Sequence, residues 1–291
     1  MADRQSREAK PALRETSEPS DERGATGFTQ REIEDVEERS SPRTPVIYEI
    51  VCRLGEEEMV RPVTSLWWSG VAAGLSISFS LFGQAVLQMH LPDAPWRPLI
   101  TSFGYAAGFV MVVLSRQQLF TENTITVVLP VMACFTLRNL GRLARMWGIV
   151  LAANLTGTLV AASFCTLTPV ISPELHESMI GISRGILEYG WSELFFRGIG
   201  AGFLIAAMVW LIPGAATAQF CVVVLMTYLI SIGNFAHVIA GSMEAFMLVV
   251  SRETELWRII QDFLAPVLLG NIAGGTALFA VISYAQVMNE I

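Results

Sequence analysis

Residues 115–124 read Ser115-Arg116-Gln117-Gln118-Leu119-Phe120-Thr121-Glu122-Asn123-Thr124, a polar run set inside an apolar stretch that extends from 98 to 135. A helix needs about 20 apolar residues to cross a hydrocarbon core. The stretch is therefore too long for one simple crossing, and its polar insert falls at bilayer depth. Irregular backbone survives there only where protein or a water-filled cavity satisfies its amides and carbonyls. The insert, with breaks at 115–118 and 121–123, predicts an interrupted helix beside a pathway through the protein. A second apolar stretch, 218–250, is interrupted in the same way near Gly233-Asn234.

Outward from these breaks, four further apolar stretches at 65–88, 146–168, 193–212 and 259–287 complete six expected crossings. The composition agrees: 53% of the 291 residues are apolar, 15% are charged, and the mean hydropathy is +0.51, too apolar for an ordinary soluble domain of this length. Residues 1–62 hold 25 of the 45 charged residues. The expected organisation is a disordered acidic cytoplasmic tail over 1–44, an amphipathic interfacial helix over 45–62, and a transmembrane domain over 63–291. Ile47, Ile50, Val51 and Leu54 recur at helical spacing opposite Glu49 and Arg53, as in a helix lying on a membrane surface. No apolar core follows Arg4 and Arg7, so the start does not read as a signal peptide. A net charge of −7 and a single lysine, Lys10, exclude a nucleic-acid-binding stripe. Cys52, Cys134, Cys165 and Cys221 show no CxxC spacing and read as inert buried thiols. No metal or cofactor is expected.

The two halves of the apolar region resemble each other. Trp67-Trp68-Ser69-Gly70-Val71-Ala72-Ala73-Gly74 lines up with Phe195-Phe196-Arg197-Gly198-Ile199-Gly200-Ala201-Gly202, and Asn154-Leu155-Thr156-Gly157 with Asn271-Ile272-Ala273-Gly274. Phe120 precedes Asn154 by 34 residues and His237 precedes Asn271 by 34. Two three-helix repeats follow, and an odd number of spans requires them to be inverted in the membrane. Arg138, Arg142 and Arg145 after the second stretch, with Arg53 and Arg61 before the first, favour both termini in the cytoplasm.

The run Arg116–Thr124, the segment Phe235-Ala236-His237 and the motif Gly270-Asn271-Ile272-Ala273-Gly274-Gly275 resemble the formate/nitrite transporter family, most closely its YfdC-like branch. The resemblance covers about residues 45–288. It implies an all-α, aquaporin-like fold, a homopentamer in which each protomer has its own pore, and passage of small monovalent anions across a bacterial inner membrane. Carried over residue by residue, it implies that His237 is the central pore histidine and that Thr121 is the threonine of the loop breaking the second helix. Phe120, Phe109 and Tyr105 fall at or near positions that narrow the pore, and Asn154 and Asn271 match helix-packing asparagines. Asn234 marks the second break on the same path. The chain departs from the family at Gly241, where an asparagine is common, at Ala236, which is often acidic, and at Gly200-Ala201-Gly202. It also lacks the family's vestibule lysine.

The chemistry of the histidine stands apart from the resemblance. An imidazole holds or releases a proton near neutrality, and an intramembrane ionisable group is functional by default. A bare formate or nitrite ion pays a large desolvation penalty in an apolar constriction, so a central His237 donating a proton or a strong hydrogen bond eases its passage. A core histidine bonded to a carbonyl is the plainer reading. Glu244, seven residues on, shares the helical face of His237 and either tunes it, repels anions or pairs near the surface. Arg116 and Glu122 flank the first break, where a buried pair between them fixes the loop. Other classes fit less well. The Asn-Pro-Ala pair of water channels is absent, a hydrolase using His237 and Ser242 lacks a nucleophile turn, and a neutral-solute pore or a membrane scaffold displaying the tail remain as alternatives.

Overall fold

The computed structural model describes residues 28, 29, 32 and 42–290, so the expected tail at 1–44 lies almost wholly outside the described residues. Residues 42 onward form one compact unit, and its described secondary structure is entirely helical. Ten helical segments follow in order: α1 Thr44–Val60, α2 Val63–His90, α3 Arg97–Leu114, α4 Asn123–Ala133, α5 Leu137–Leu167, α6 Pro173–Arg184, α7 Trp191–Leu211, α8 Gln219–Ile232, α9 Val238–Val250 and α10 Leu256–Val287. Among them α2, α3, α5, α7 and α10 are long and apolar enough to cross a membrane. The stretch 218–250 is divided into α8 and α9, each too short alone. The chain is a multi-pass membrane protein whose second and fifth apolar stretches are both interrupted.

Helix α2 packs on α5, and α7 packs on α10. The α2–α5 and α7–α10 crossings are close because glycine sits at both. A Cβ on Gly74 would collide with the Asn154 carbonyl, and one on Gly202 with the Asn271 carbonyl, so neither site accepts a larger residue without parting the helices. Two stretches of α10, Ile260–Leu264 and Ala273–Ala280, wind as π-helix. From the second, Thr276 Oγ1 donates to the Thr124 carbonyl at 2.6 Å, tying α10 to the start of α4.

The breaks close by the same device. At the end of α3 the Gln117 amide donates to the Val112 carbonyl at 3.0 Å and the Arg116 amide to Val113 at 3.1 Å. At the end of α8 the Phe235 amide donates to Ile230 at 2.9 Å and the Asn234 amide to Ser231 at 3.0 Å. Arg116 and Asn234 both take a left-handed backbone, with φ of 52° and 50°. This six-to-one plus five-to-two bonding is the Schellman ending of a helix, in which a left-handed residue reverses the chain. Asparagine tolerates that conformation; an arginine there costs about 1–2 kcal/mol.

Several details depart from the sequence expectations. Helix α5 begins at Leu137 rather than near 146, capped by the Thr136 hydroxyl, which accepts from the Asn139 amide at 3.1 Å. Helix α6 occupies what reads as a loop; Ser172 caps it, Pro173 opens it, and Leu175, Met179, Ile180 and Ser183 form its buried face. His176 lies on this helix, and His90 closes α2. The segment expected as an amphipathic helix is α1, which buries Tyr48, Val51, Cys52 and Met59 and leaves Ile50 and Leu54 exposed, with its Gly55 against the Thr126 carbonyl of α4. Of the cysteines only Cys52 is buried, while Cys134 and Cys221 are exposed.

Arg184, at the end of α6, donates to both oxygens of Glu253, at 2.7 and 2.8 Å, and to Glu177 at 3.2 Å. Hydrogen bonds from that guanidinium hold the Glu253 carboxyl below the usual carboxylate range. A depressed value means that the contact stabilises above the unfolded carboxyl's pKa and is lost as pH falls through the folded one. Amide exchange in α6, corrected for intrinsic rates, should be equal at pH 6 and 7 and accelerate below about pH 4. Glu253→Gln should bring the faster exchange to pH 7. The pair is partly exposed and screened by salt, so the effect should shrink in high salt; exchange indifferent to both acid and the substitution would show that α6 is held by packing alone.

Candidate functional site

The two breaks meet at a buried point. Thr121, between α3 and α4, places its Oγ1 2.7 Å from Nε2 of His237, between α8 and α9. Thr121 is wholly buried and His237 is 2% exposed. His237 also caps α9, with Nδ1 3.1 Å from the Ala240 amide that donates to it. Because Nδ1 accepts, the hydrogen of the neutral ring resides on Nε2 and points to Thr121. A second proton on Nδ1 would set two donors face to face and break the cap. The geometry thus favours the imidazole as a hydrogen-bond donor acting through Thr121, whose own hydroxyl hydrogen is left to point at a third group.

Two asparagines stitch the breaks to the long helices. Asn154 Oδ1 accepts from the Phe120 amide at 2.9 Å, while its Nδ2 donates to the Gly70 and Gln118 carbonyls, both at 2.8 Å. Asn271 repeats this: Oδ1 accepts from the Val238 amide at 2.8 Å, and Nδ2 donates to Gly198 at 2.9 Å and to Ala236 at 2.8 Å. These bonds pair Phe120 with Val238, which moves the register of the second break by one residue from the spacing argument that aligned Phe120 with His237. The position matching His237 is Leu119.

The remaining expected residues divide. Phe109 presents its ring edge-on to His237 at 5.0 Å between centroids, and Tyr105 stands 5.1 Å from Phe109; both are buried. Phe120 meets Trp147 edge-on instead, at 5.7 Å. Asn234 is exposed and lines the cavity that reaches His237, and its carbonyl accepts from Arg197 at 2.8 Å. Arg116 is also exposed and makes no ion pair with Glu122 among the described residues. Arg116 lies at an exposed position where α3 ends, whereas Glu122 Oε1 is buried, so the two do not form a buried pair. Glu122 keeps one carboxyl oxygen, Oε1, buried and without a hydrogen-bond partner among the described residues.

A cavity of about 170 Å³ reaches His237 from the side of α6. Its walls include Gln84, Tyr105, Arg197, Ser231, His237 and Glu244. Gln84 and Ser231 are joined at 2.9 Å across α2 and α8. Phe263 closes one side and explains Gly241: a Cβ there would collide with the phenyl ring, leaving no room for an asparagine. Arg197 escapes a sequence reading because it lies within a crossing. The signal was available in Glu193, four residues earlier, which pairs with it at 3.0 Å.

The chain matches the family model described as formate/nitrite transporter over residues 45–285. It is 40% identical over 261 residues to the inner membrane protein YfdC of Escherichia coli K12, covering 90% of this chain and 84% of that protein. It is 24% identical over 247 residues to the formate channel FocA of Haemophilus influenzae, covering 76% of this chain and 86% of that one. Among solved structures, a pentameric formate channel with formate bound aligns with a TM-score of 0.66 at 20% identity, over 78% of this chain and 98% of its own.

Proposed function

Since the chain belongs to the formate/nitrite transporter family, we propose that it is a membrane channel or carrier for small monovalent anions of weak acids, formate and nitrite among them. In this reading it is not an enzyme. It assembles as a homopentamer of six-span protomers in the bacterial inner membrane, with both termini cytoplasmic and a path through each protomer at Thr121 and His237. The observation that carries the reading is the 2.7 Å contact between those two side chains, which joins both interrupted helices at one buried point. Helices α4 and α9 each begin there, so the positive ends of two helix dipoles lie where a small anion loses its water. The Thr121 hydroxyl, fed by His237 Nε2–H, offers that anion a directed hydrogen bond in place of hydration. Phe109 and Tyr105 line the approach and keep it narrow.

Flux of formate, nitrite, acetate, lactate and hydrosulfide into proteoliposomes, set beside a neutral solute such as urea, tests this. Formate and nitrite should enter at least tenfold faster than in protein-free vesicles. Equal enhancement of urea would replace the reading with a neutral-solute pore, and no enhancement of any solute would replace it with a scaffold.

A further inference from the structure

Glu244 has no part in the path described so far, yet it lines the cavity that ends at His237. It lies seven residues beyond His237 on α9, two turns along the same face. Among the described residues its carboxyl has no ion pair. The cation on the same wall, Arg197, is already neutralised. It pairs with Glu193 at 3.0 Å, donates to the Asn234 carbonyl at 2.8 Å and covers the Tyr189 ring at 3.9 Å. An anion entering this space therefore meets a carboxylate that no cation among the described residues compensates.

We infer that Glu244 is a selectivity residue: ionised, it excludes anions from the His237 cavity, and protonated from the adjoining solution, it admits them and offers an O–H donor. The surrounding groups leave this role to Glu244. The cavity also receives Tyr105 from α3, Tyr189 and Arg197 from the α7 side, and His237 itself. Of the elements packed on α9, α6 carries His176, Glu177 and Arg184, with Arg184 bound to Glu177 and Glu253. Helix α10 carries Arg258 and Asp262, 3.6 Å apart. Helix α5 contributes the uncharged Thr158, bonded to Ser242 at 2.8 Å, and α2 contributes Gln84. None of these supplies a cation free to cancel Glu244.

The inference rests on the transport reading above, and the test separates the two. Formate flux is measured in proteoliposomes of the full chain at equal internal and external pH from 5.5 to 8.0, normalised to assembled protein. Wild-type flux should rise about tenfold on acidification. Glu244→Gln should carry about tenfold more formate than wild type at pH 8.0 and change less than threefold across the range. Glu244→Asp, which keeps the charge, should retain the wild-type slope. Glu244→Ser, smaller and uncharged, should follow Glu244→Gln. A wild-type slope in the uncharged variants overturns the inference, as does failure of both to assemble, which would make Glu244 structural. Wild type that moves no formate or nitrite at any pH removes the transport reading instead.

Discussion

Asn271→Leu should almost abolish recovery of assembled protein from mild detergent. The leucine fills nearly the same volume, so little of the loss comes from packing. It comes from three backbone groups, the buried Val238 amide and Gly198 carbonyl and the partly buried Ala236 carbonyl, which all depend on the one asparagine side chain. Each buried polar group left unpaired costs about 1–3 kcal/mol. Together they amount to about 3–9 kcal/mol, against a total stability that for a typical domain is about 5–15 kcal/mol. Asn271→Asp sharpens the test, since it keeps the acceptor for Val238 but turns an oxygen toward two carbonyls. It should recover only part of the yield, and more of it at acid pH, where a protonated carboxyl can donate. Wild-type yield and melting temperature in Asn271→Leu would mean that the break holds itself through its own Schellman bonds.

His237→Asn should give the opposite pattern: normal assembly and poor transport. Asparagine is among the best N-cap residues, so α9 keeps its start, while the shorter side chain cannot reach Thr121 from the same backbone. The Thr121 hydroxyl then loses the donor that aims it, and the anion loses a directed partner at its least hydrated point. We expect formate flux to fall about tenfold at every pH, which corresponds to about 1.4 kcal/mol of barrier, with the pH slope retained because that slope belongs to Glu244. Flux per assembled protein equal to wild type would remove His237 from the path. A flux that falls only at low pH would instead favour proton donation by the ring over the hydrogen bond that its cap geometry supports.

Much of the fold is written in the hydropathy. The polar residues at 115–118 and Gly233-Asn234 mark both interruptions because a bilayer tolerates such residues only where protein or water satisfies them. Hydropathy is blind where a helix leaves the membrane. Helix α5 continues back through Arg145, Arg142 and Arg138 to Leu137, and Arg145 there holds the Met59 and Arg61 carbonyls at 3.2 and 3.3 Å. Helix α6 is too polar to register as a crossing, although its Ser-Pro-Glu start is a helix signal. At the site, spacing brings Glu244 to the face of His237, but nothing local reveals that Thr121, 116 residues away, touches the imidazole. Nor does composition reveal that Phe263 occupies the space beside Gly241. Contacts between distant segments depend on how the helices cross, and the glycines that set those crossings carry no address.

The asparagine stitches have a further consequence. Asn154 and Asn271 bind only main-chain groups, on the interrupted segments and on α2 and α7, so these six bonds do not depend on which side chains the segments bear. The two halves thus carry different side chains at matching positions, Leu119 in one and His237 in the other, on the same pattern of bonds. A side-chain exchange at Leu119 or Thr121 therefore leaves these six bonds in place, so the lining of this point can change while its frame persists.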